Sequence, residues 1–299
     1  MLAFLFFFMS FMGCSGSESG SAAAQDGPPR DSTPVVLVPE AANIDVVQNE
    51  KAVLDYSNAS KGYLCATSLI SPTVVKVLVD FAGTQYQYTL SGTGFDVIPL
   101  SCGDGLYSVS LWENVYDDQY AAIFSQDIQV QLEDQFLPFL YPNQFVNFSS
   151  GDNAVALSGE LAAGATGVVQ AIEKIYGYVV KNIDYDFDKA ANVKPGYLPV
   201  PDQTLQSQSG ICFDYAVLTA AMLRAQGIPT KLVVGYAGAA YHAWIDVYSN
   251  EEGWIRKEIY FDGQDYVLMD PTFASAGNGK ADVSQFVGDG SNYNPRFVY

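Results

Sequence analysis

Hydrophobic and polar positions are arranged differently in the two halves of this 299-residue chain. From about residue 35 to residue 132, short runs of apolar, β-branched and aromatic residues are separated by clusters of Gly, Asn, Asp or Pro. Such runs are typical of antiparallel strands joined by turns. The pattern predicts a β-sandwich, with strands at Val74 to Phe81, Gln85 to Leu90, Leu106 to Trp112 and Ala121 to Leu132. No catalytic motif falls within it, so we interpret it as a binding or spacer module.

Helical periodicity begins after a proline-containing segment at Phe136 to Asn143, and we place the domain boundary there. Residues 35–140 are then the sandwich, and residues 141–299 form a second domain that mixes helices and strands. Its first helix is predicted by apolar residues at three-and-four spacing, which are Val168, Val169, Ile172, Ile175, Tyr176, Val179, Val180 and Ile183. The whole chain is therefore expected to be an α+β protein.

The rest of the second domain is predicted as a loop, a helix and several strands. Asp184 to Ser209 is polar and contains prolines, and its length suggests a loop that frames a site. A helix follows, with Cys212 in its first turn and Gly227 at its C-terminal end. Strands are predicted from Lys231 to Gly235 and from Tyr241 to Tyr248, and a further one ends just before Asp270-Pro271.

The first 34 residues have the pattern of an export and anchoring segment. Residues 1–13 are mostly apolar and too short to span a bilayer, which is typical of a signal segment. Phe11-Met12-Gly13-Cys14 resembles a bacterial lipobox, so we predict that Cys14 is lipidated and that residues 14–34 form a flexible tether. An ordinary secretory signal cleaved elsewhere, or a buried N-terminal segment, are the alternatives. Either signal predicts export, and the lipobox predicts anchoring at the bacterial cell surface.

Charge and composition exclude several classes of partner. With 14 basic and 33 acidic residues the formal net charge is -19, which would repel a nucleic-acid backbone. No loop has the spacing of a dedicated calcium site. With one histidine and no paired-cysteine motif, the ligands of a transition-metal site are missing too. We predict neither a metal nor a cofactor.

The four cysteines single out one thiol. If Cys14 is lipidated, Cys65 and Cys102 remain in the β-rich half, where they would either form a disulfide in an oxidising compartment or serve as small buried apolar residues. Both alternatives leave Cys212 alone. Its position at a helix N-terminus favours the thiolate, and the free amides there can hold an oxyanion.

Two further residues complete a candidate nucleophilic site. His242 is the sole histidine, so any imidazole chemistry must use it. Asp270 follows a predicted strand, where a carboxylate can orient the imidazole and stabilise its cation. Each residue alone is more often structural, but a nucleophile, a base and an orienting acid in this order indicate a catalytic triad.

Several motifs around these residues occur in a fixed order: Gly210, Cys212, Tyr215-Ala216, Arg224 to Pro229, Gly235-Tyr236, His242 to Trp244, and Asp270 to Thr272. This order resembles the bacterial transglutaminase-like superfamily, which is distantly related to papain-type cysteine proteases. The resemblance covers roughly residues 170 to 275. It implies a helix carrying the cysteine packed on an antiparallel sheet carrying the histidine and the aspartate, a Cys212-His242-Asp270 triad, and an acyl-enzyme on Cys212.

Other site residues are secondary candidates. Gln206 and Gln208 precede the nucleophile at distances where a papain-type enzyme carries its oxyanion-hole glutamine, although both could be ordinary loop residues. Tyr215, Tyr241 and Trp244 could line the acyl pocket, with packing beside the triad favoured for Trp244. To bring His242 to Asp270, we predict that their strands pair directly and antiparallel, with Trp254 to Phe261 as an excursion.

The sequence therefore predicts an exported enzyme that attacks peptide or side-chain amide bonds of a peptide or protein at the cell surface. Hydrolysis is favoured over transamidation, because many bacterial members of the superfamily are thought to be proteases and no calcium switch is visible. The alternative is a catalytically silent adhesion or scaffold protein whose sandwich binds a cell-wall component. A metalloenzyme is the weakest alternative.

Overall fold

The computed structural model describes residues 28–255, 259–261, 265–267 and 293–299. Two four-stranded antiparallel sheets form the β-rich half, as predicted. One has the order β1-β2-β3-β6 and the other the order β5-β4-β7-β8. The strands of this half are β1 Val46–Gln48, β2 Ala52–Asp55, β3 Tyr63–Ser68, β4 Val75–Phe81, β5 Thr84–Thr89, β6 Asp96–Pro99, β7 Gly105–Tyr116 and β8 Gln119–Val130.

Alternation of buried and exposed residues explains why these segments are strands. In β4, the side chains of Val75, Val77 and Val79 are buried and the residues between them are less so. Val77 lies opposite Tyr88 of β5 on one side and Leu111 of β7 on the other. A period of two puts one face of each strand into the core. The four predicted strands are β4, β5, β7 and β8.

The second half contains five helices among the described residues, α1 Asn153–Ala162, α2 Val168–Asn182, α3 Phe187–Asn192, α4 Pro201–Ser207 and α5 Cys212–Ala225. Every residue of α5 from Asp214 to Ala225 is buried. This helix packs on α1, α2 and α4 and on two strands of a sheet. It is the central helix of this half, which its uninterrupted run of apolar and small residues requires.

The sheet beside α5 is antiparallel, with the order β13-β12-β11-β16. Its strands are β11 Thr230–Ala237, β12 Ala240–Ser249, β13 Gly253–Ile255 and β16 Tyr293–Val298. Two small pairs accompany it, namely β9 Asp184–Tyr185 with β10 Ser209–Gly210, and β14 Ile259–Phe261 with β15 Asp265–Val267. The α+β class and the helix-on-sheet arrangement are thus as predicted. No helix in the described ranges has both the length and the apolar character needed to cross a membrane.

The segment from Asp184 to Ser209 differs from the prediction. Instead of an irregular loop it contains β9, α3, α4 and the first residue of β10. Asp186 caps α3, because its side chain accepts a hydrogen bond from the Lys189 amide. Helices α3 and α4 are 6 and 7 residues long, which is too short for a helical period to show in the sequence.

The last part of the predicted flexible tether, residues 28–34, also differs from the prediction. The backbone amide of Arg30 donates to Ala165 O at 2.8 Å, and its guanidinium donates to both the side chain and the backbone carbonyl of Gln226. Gln226 in turn donates to Ser32 O. Residues 28–34 therefore lie against the second half of the molecule, because Arg30 and Gln226 satisfy each other's polar groups. Residues 1–27, including the proposed lipidation site Cys14, lie outside the described residues.

Cys65 and Cys102 are both free thiols, so the disulfide considered from sequence is not formed. Cys65 lies in β3 opposite Asp55, and Cys102 donates a hydrogen bond to the Tyr86 hydroxyl. Burial raises the pKa of Cys65 to about 12 and also raises that of Cys102. The alternative of a small buried residue describes Cys65, whereas Cys102 is half-buried at the edge of the core.

The two halves share one hydrophobic cluster. The ring of Tyr299 lies 5.7 Å from that of Tyr86 and 6.2 Å from that of Tyr88, both in β5, and 4.1 Å from that of Phe145. A continuous hydrophobic core contains residues from both sides of residue 140, so the domain boundary placed there stays a prediction.

Candidate active site

Cys212 is the first residue of α5. A helix leaves its first amides without intrahelical acceptors, and the aligned peptide dipoles make that end positive. Because α5 is surrounded by other elements, its N-terminus is fixed in position. The sulfur therefore lies beside amides that can stabilise a developing oxyanion.

His242 lies on β12 opposite Gly235 of β11 and is 7% exposed. Its ring is stacked at 6.4 Å on Trp244 and lies edge-on at 6.2 Å to Tyr293. Trp244 and Tyr293 contact each other at 5.1 Å. Two buried aromatic rings thus restrict the orientation of the imidazole, and Trp244 has the packing role favoured from sequence.

A cavity of about 340 Å³ is lined by both Cys212 and His242. The structure therefore brings a helix-end thiol and the sole imidazole to one concave surface. Six aromatic side chains share the lining, those of Phe145, Tyr185, Tyr197, Phe213, Tyr241 and Tyr299. A nucleophile and a base that line one largely apolar cavity are suited to covalent acyl transfer.

Comparison with known proteins identifies this half. Residues 155–259 match the family model of the transglutaminase-like superfamily, and they include both Cys212 and His242. Residues 155–259 are thus similar to that superfamily, and we call them the transglutaminase-like domain. Proteins of this family are generally cysteine-dependent enzymes, and the match supports a cysteine-based acyl-transfer fold for these residues.

Individual relatives of the transglutaminase-like domain match over short segments. The chain is 39% identical over 57 residues to UPF0252 protein MJ1282 of Methanocaldococcus jannaschii, covering 17% of this chain and 16% of that protein. It is 34% identical over 70 residues to a protein-glutamine gamma-glutamyltransferase of Pseudomonas aeruginosa, covering 19% of this chain and 10% of that protein. The chain thus spans less than a fifth of the length of either relative.

Among solved structures, the periplasmic domain of TgpA from Pseudomonas aeruginosa is similar at 16% identity, over 81% of this chain and 99% of that one. The TM-score is 0.36.

The third predicted triad residue of the transglutaminase-like domain, Asp270, lies outside the described residues. The strand predicted before it is described as β15, and β15 pairs with β14. The predicted direct pairing with the His242 strand is therefore wrong for residues 265–267. In the described ranges, β12 pairs with β11 along its length and with β13 only at Val247 to Ser249.

The secondary candidates have different outcomes. Tyr241 lines the cavity and is half exposed. Gln206 and Gln208 are exposed at the end of α4 and are not among the described residues that line it. Tyr215 is fully buried in α5, and its hydroxyl donates to Ile183 O, so it joins α5 to the end of α2 instead of lining the cavity.

Sequence reasoning missed a buried polar cluster of Lys189, Tyr197 and Asp214. Asp214 is fully buried, and its carboxylate lies 2.8 Å from Lys189 Nζ and accepts a hydrogen bond from the Tyr197 hydroxyl. Burial alone would lower the pKa of Lys189, but its bonds to Asp214 and Tyr197 outweigh burial and raise it. Burial and the bond to Asp214 raise the pKa of Tyr197. An acid two residues after the nucleophile was the only signal in the sequence.

Within the described ranges, no group of three or more His, Cys, Asp or Glu side chains is placed to hold a metal ion.

Proposed function

We propose that the protein is an exported cysteine-nucleophile enzyme that attacks an amide bond of a peptide or protein through Cys212 and passes the acyl group to water. The observation that carries the proposal is the shared cavity of Cys212, at the N-terminus of a buried helix, and His242, held between two aromatic rings. The family resemblance supplies Asp270 as the third member of the triad.

The reaction proceeds in two halves. His242 takes the thiol proton, and the Cys212 sulfur attacks the carbonyl carbon, which places negative charge on the carbonyl oxygen near the first amides of α5. The tetrahedral intermediate collapses as His242 gives that proton to the departing amine, leaving a thioester. His242 then removes a proton from water, the hydroxide attacks the thioester, and the carboxylic acid leaves as the thiol re-forms.

An amine in place of water would give transamidation by the same steps. We favour hydrolysis because many bacterial members of the superfamily are thought to be proteases. Adding hydroxylamine during turnover measures how the acyl-enzyme is divided between water and an amine. A hydroxamate forms only if the amine can reach the thioester.

Alkylation kinetics test the catalytic pair. We expect iodoacetamide at about pH 6.5 to label Cys212 at least about tenfold faster in the native protein than in His242→Ala, because the imidazole favours the thiolate. Gln203→Ala, on the exposed side of α4, is the control and should match the native rate. Peptide mass spectrometry separates Cys212 from Cys65 and Cys102, whose raised pKa values make them slow.

Equal labelling of native protein and His242→Ala across the pH range would contradict the enzyme proposal. It would favour the silent adhesion or scaffold protein instead. If the pair is active, mass spectrometry of adducts trapped on Cys212 after exposure to cell-surface peptides identifies the acyl donor.

We also propose export with a lipid anchor on Cys14, supported by the lipobox-like Phe11 to Cys14 segment and the polar, small-residue stretch after it. The mature N-terminus should begin at a diacylglyceryl-modified Cys14, detected by mass spectrometry. A Cys14→Ala variant should lose membrane association; retention of that association would contradict the anchor.

A further inference from the structure

One wall of the active-site cavity is a single stretch of chain. Residues 190–197 connect α3 to the approach of α4, and five of them line the cavity, namely Ala190, Val193, Lys194, Gly196 and Tyr197. We call residues 190–197 the cavity wall. Only Ala190 to Asn192 belong to a helix, so the wall has few backbone hydrogen bonds of its own to fix its position.

Both ends of the cavity wall are held by one carboxylate. Lys189, immediately before the wall, donates to Asp214 Oδ1 at 3.0 Å and lies 2.8 Å from Oδ2. Tyr197, the last residue of the wall, donates its hydroxyl to Asp214 Oδ1, and Lys189 donates to that hydroxyl at 2.7 Å. The three side chains form a closed cluster, so the two ends of the wall are clamped together.

The clamping carboxylate belongs to the nucleophile's helix. Asp214 lies in the first turn of α5, two residues after Cys212, and its Oδ2 also accepts from the Ile211 amide at 2.8 Å. Removing Lys189 or Tyr197 is costly, because the Asp214 carboxylate is fully buried and would lose a partner. The cluster therefore couples the position of the wall to the position of the nucleophile.

The chemistry of the cavity lining indicates what the wall faces. Besides the reacting pair Cys212 and His242, Lys194 is the one charged side chain among the described lining residues, and no carboxylate is among them. The other side chains are aromatic or aliphatic apart from glycine. Such a surface gains free energy by removing an apolar side chain from water, and its aromatic and aliphatic groups make up most of the lining.

Resting on the proposed function, we propose that the cavity wall is a recognition subsite for an aromatic or large aliphatic side chain on the acyl donor, and that Lys189, Tyr197 and Asp214 are its positioning residues. Lys189 and Asp214 act through the wall, whereas Tyr197 belongs to both: its ring lines the cavity and its hydroxyl is part of the cluster. This assigns a substrate class to the cavity and a role to three residues outside the triad.

Two matched affinity reagents test the subsite. N-acetyl-phenylalanine chloromethyl ketone and N-acetyl-glycine chloromethyl ketone each react by forming a bond from the Cys212 sulfur to the methylene carbon while chloride leaves. They differ only in the benzyl group on the acyl side. We expect the phenylalanine reagent to inactivate native protein at least about tenfold more efficiently, with the gain in the saturation constant.

Variants of the cluster test the positioning role. In Lys189→Met and in Tyr197→Phe, the ratio of the two inactivation efficiencies should fall toward one, and Lys189→Arg should restore part of it. Lys181→Met, an exposed lysine in the last turn of α2, is the matched control and should keep the native ratio. Circular dichroism and the melting temperature identify any variant that fails to fold, and Tyr197→Phe keeps the ring in place.

The outcomes separate the two proposals. A glycine reagent that labels Cys212 in a His242-dependent way, with no advantage for the phenylalanine reagent, overturns the subsite and leaves the catalytic pair intact. An advantage that survives in folded Lys189→Met and Tyr197→Phe overturns the positioning role. Labelling of Cys212 by neither reagent above the rate of a simple thiol overturns the proposed function itself.

Discussion

Arg224 carries a positive charge inside the protein, with a side chain that is 1% exposed. Its guanidinium donates to the backbone carbonyls of Thr230, Tyr141 and Tyr299 at 2.8 to 2.9 Å. Burial lowers its pKa to about 9. No Asp or Glu side chain pairs with it in the part of the chain that the structure describes. Backbone oxygens of three segments compensate the charge, so one residue of α5 joins the start of β11, Tyr141 and the residue after β16.

Replacing Arg224 should therefore destabilise the whole fold. We expect Arg224→Met to lower the free energy of unfolding by more than about 3 kcal/mol, because several buried carbonyls lose their donors. Arg296→Met, at an exposed position of β16, should cost less than about 1 kcal/mol. Urea unfolding followed by fluorescence measures both, and equal losses would contradict the role given to Arg224.

Gly210 explains why the motif needs a glycine two residues before the nucleophile. A Cβ built at this position would lie 2.6 Å from Cβ of Asp214. The carboxylate can approach the Ile211 amide only because that space is empty. The sequence shows the glycine and the acid, but the reason for the glycine appears only once the fold brings them together.

A methyl group at residue 210 should displace Asp214. We expect Gly210→Ala to destabilise the protein by about 1 to 3 kcal/mol, as overpacking does, and to reduce the preference for the phenylalanine reagent. Gly177→Ala, on α2 with no atom within 4 Å of the added Cβ, should instead be neutral or stabilise by up to about 1 kcal/mol. Thermal melts of the two variants in parallel provide the comparison.

At the scale of elements, α5 and the strands β11 and β12 could be predicted, whereas α1, α3 and α4 could not. The end of α5 has a left-handed Gly227 and then a proline, both readable signals. By contrast, the ends of the cavity wall meet Asp214 from 25 and 17 residues away, so their contact depends on the fold. The sequence pointed to Cys212 and His242, which line one cavity, and missed the contacts that hold the cavity wall.

The connection between α3 and α5 should weaken in alkali. The pKa of Lys189 is raised above 10.5 in the folded state, so its stabilising contribution is fully present below 10.5 and is lost as pH rises through the folded value. The melting temperature of Lys189→Met should thus lie below that of native protein at pH 8, and the difference should shrink near pH 11. For Lys181→Met the difference should stay small at both pH values; a gap for Lys189→Met that persists unchanged near pH 11 would contradict the assignment.

On the scale of the molecule, the sandwich reaches the active site through aromatic contacts. Tyr299 and Phe145 line the cavity and also belong to the core shared with β5. Two separate cores were the expectation from length and composition. Because the apolar cluster is continuous, unfolding of either half would expose apolar surface of the other half to water.

We therefore expect both halves to unfold in one transition. Trp112 reports on the sandwich, and Trp244 and Trp254 report on the transglutaminase-like domain. Urea titrations of Trp112→Phe and of the double variant Trp244→Phe with Trp254→Phe should each be compared with a far-ultraviolet circular dichroism curve of the same variant. Coincident midpoints within each variant are expected, while a fluorescence midpoint displaced from the dichroism midpoint would show that the halves unfold independently.

The contact of Arg30 with Gln226 also determines which bonds would first bear a force applied to the N-terminal segment. A pull on the N-terminal segment is first resisted by the bonds from Arg30 and Ser32 to the residues just beyond α5, before any sandwich strand is strained. Cys212 is at the opposite end of that 14-residue helix, roughly 20 Å away at about 1.5 Å per residue. A pull on residues 28–34 would thus load one end of α5, while Cys212 stays at the other end of that helix.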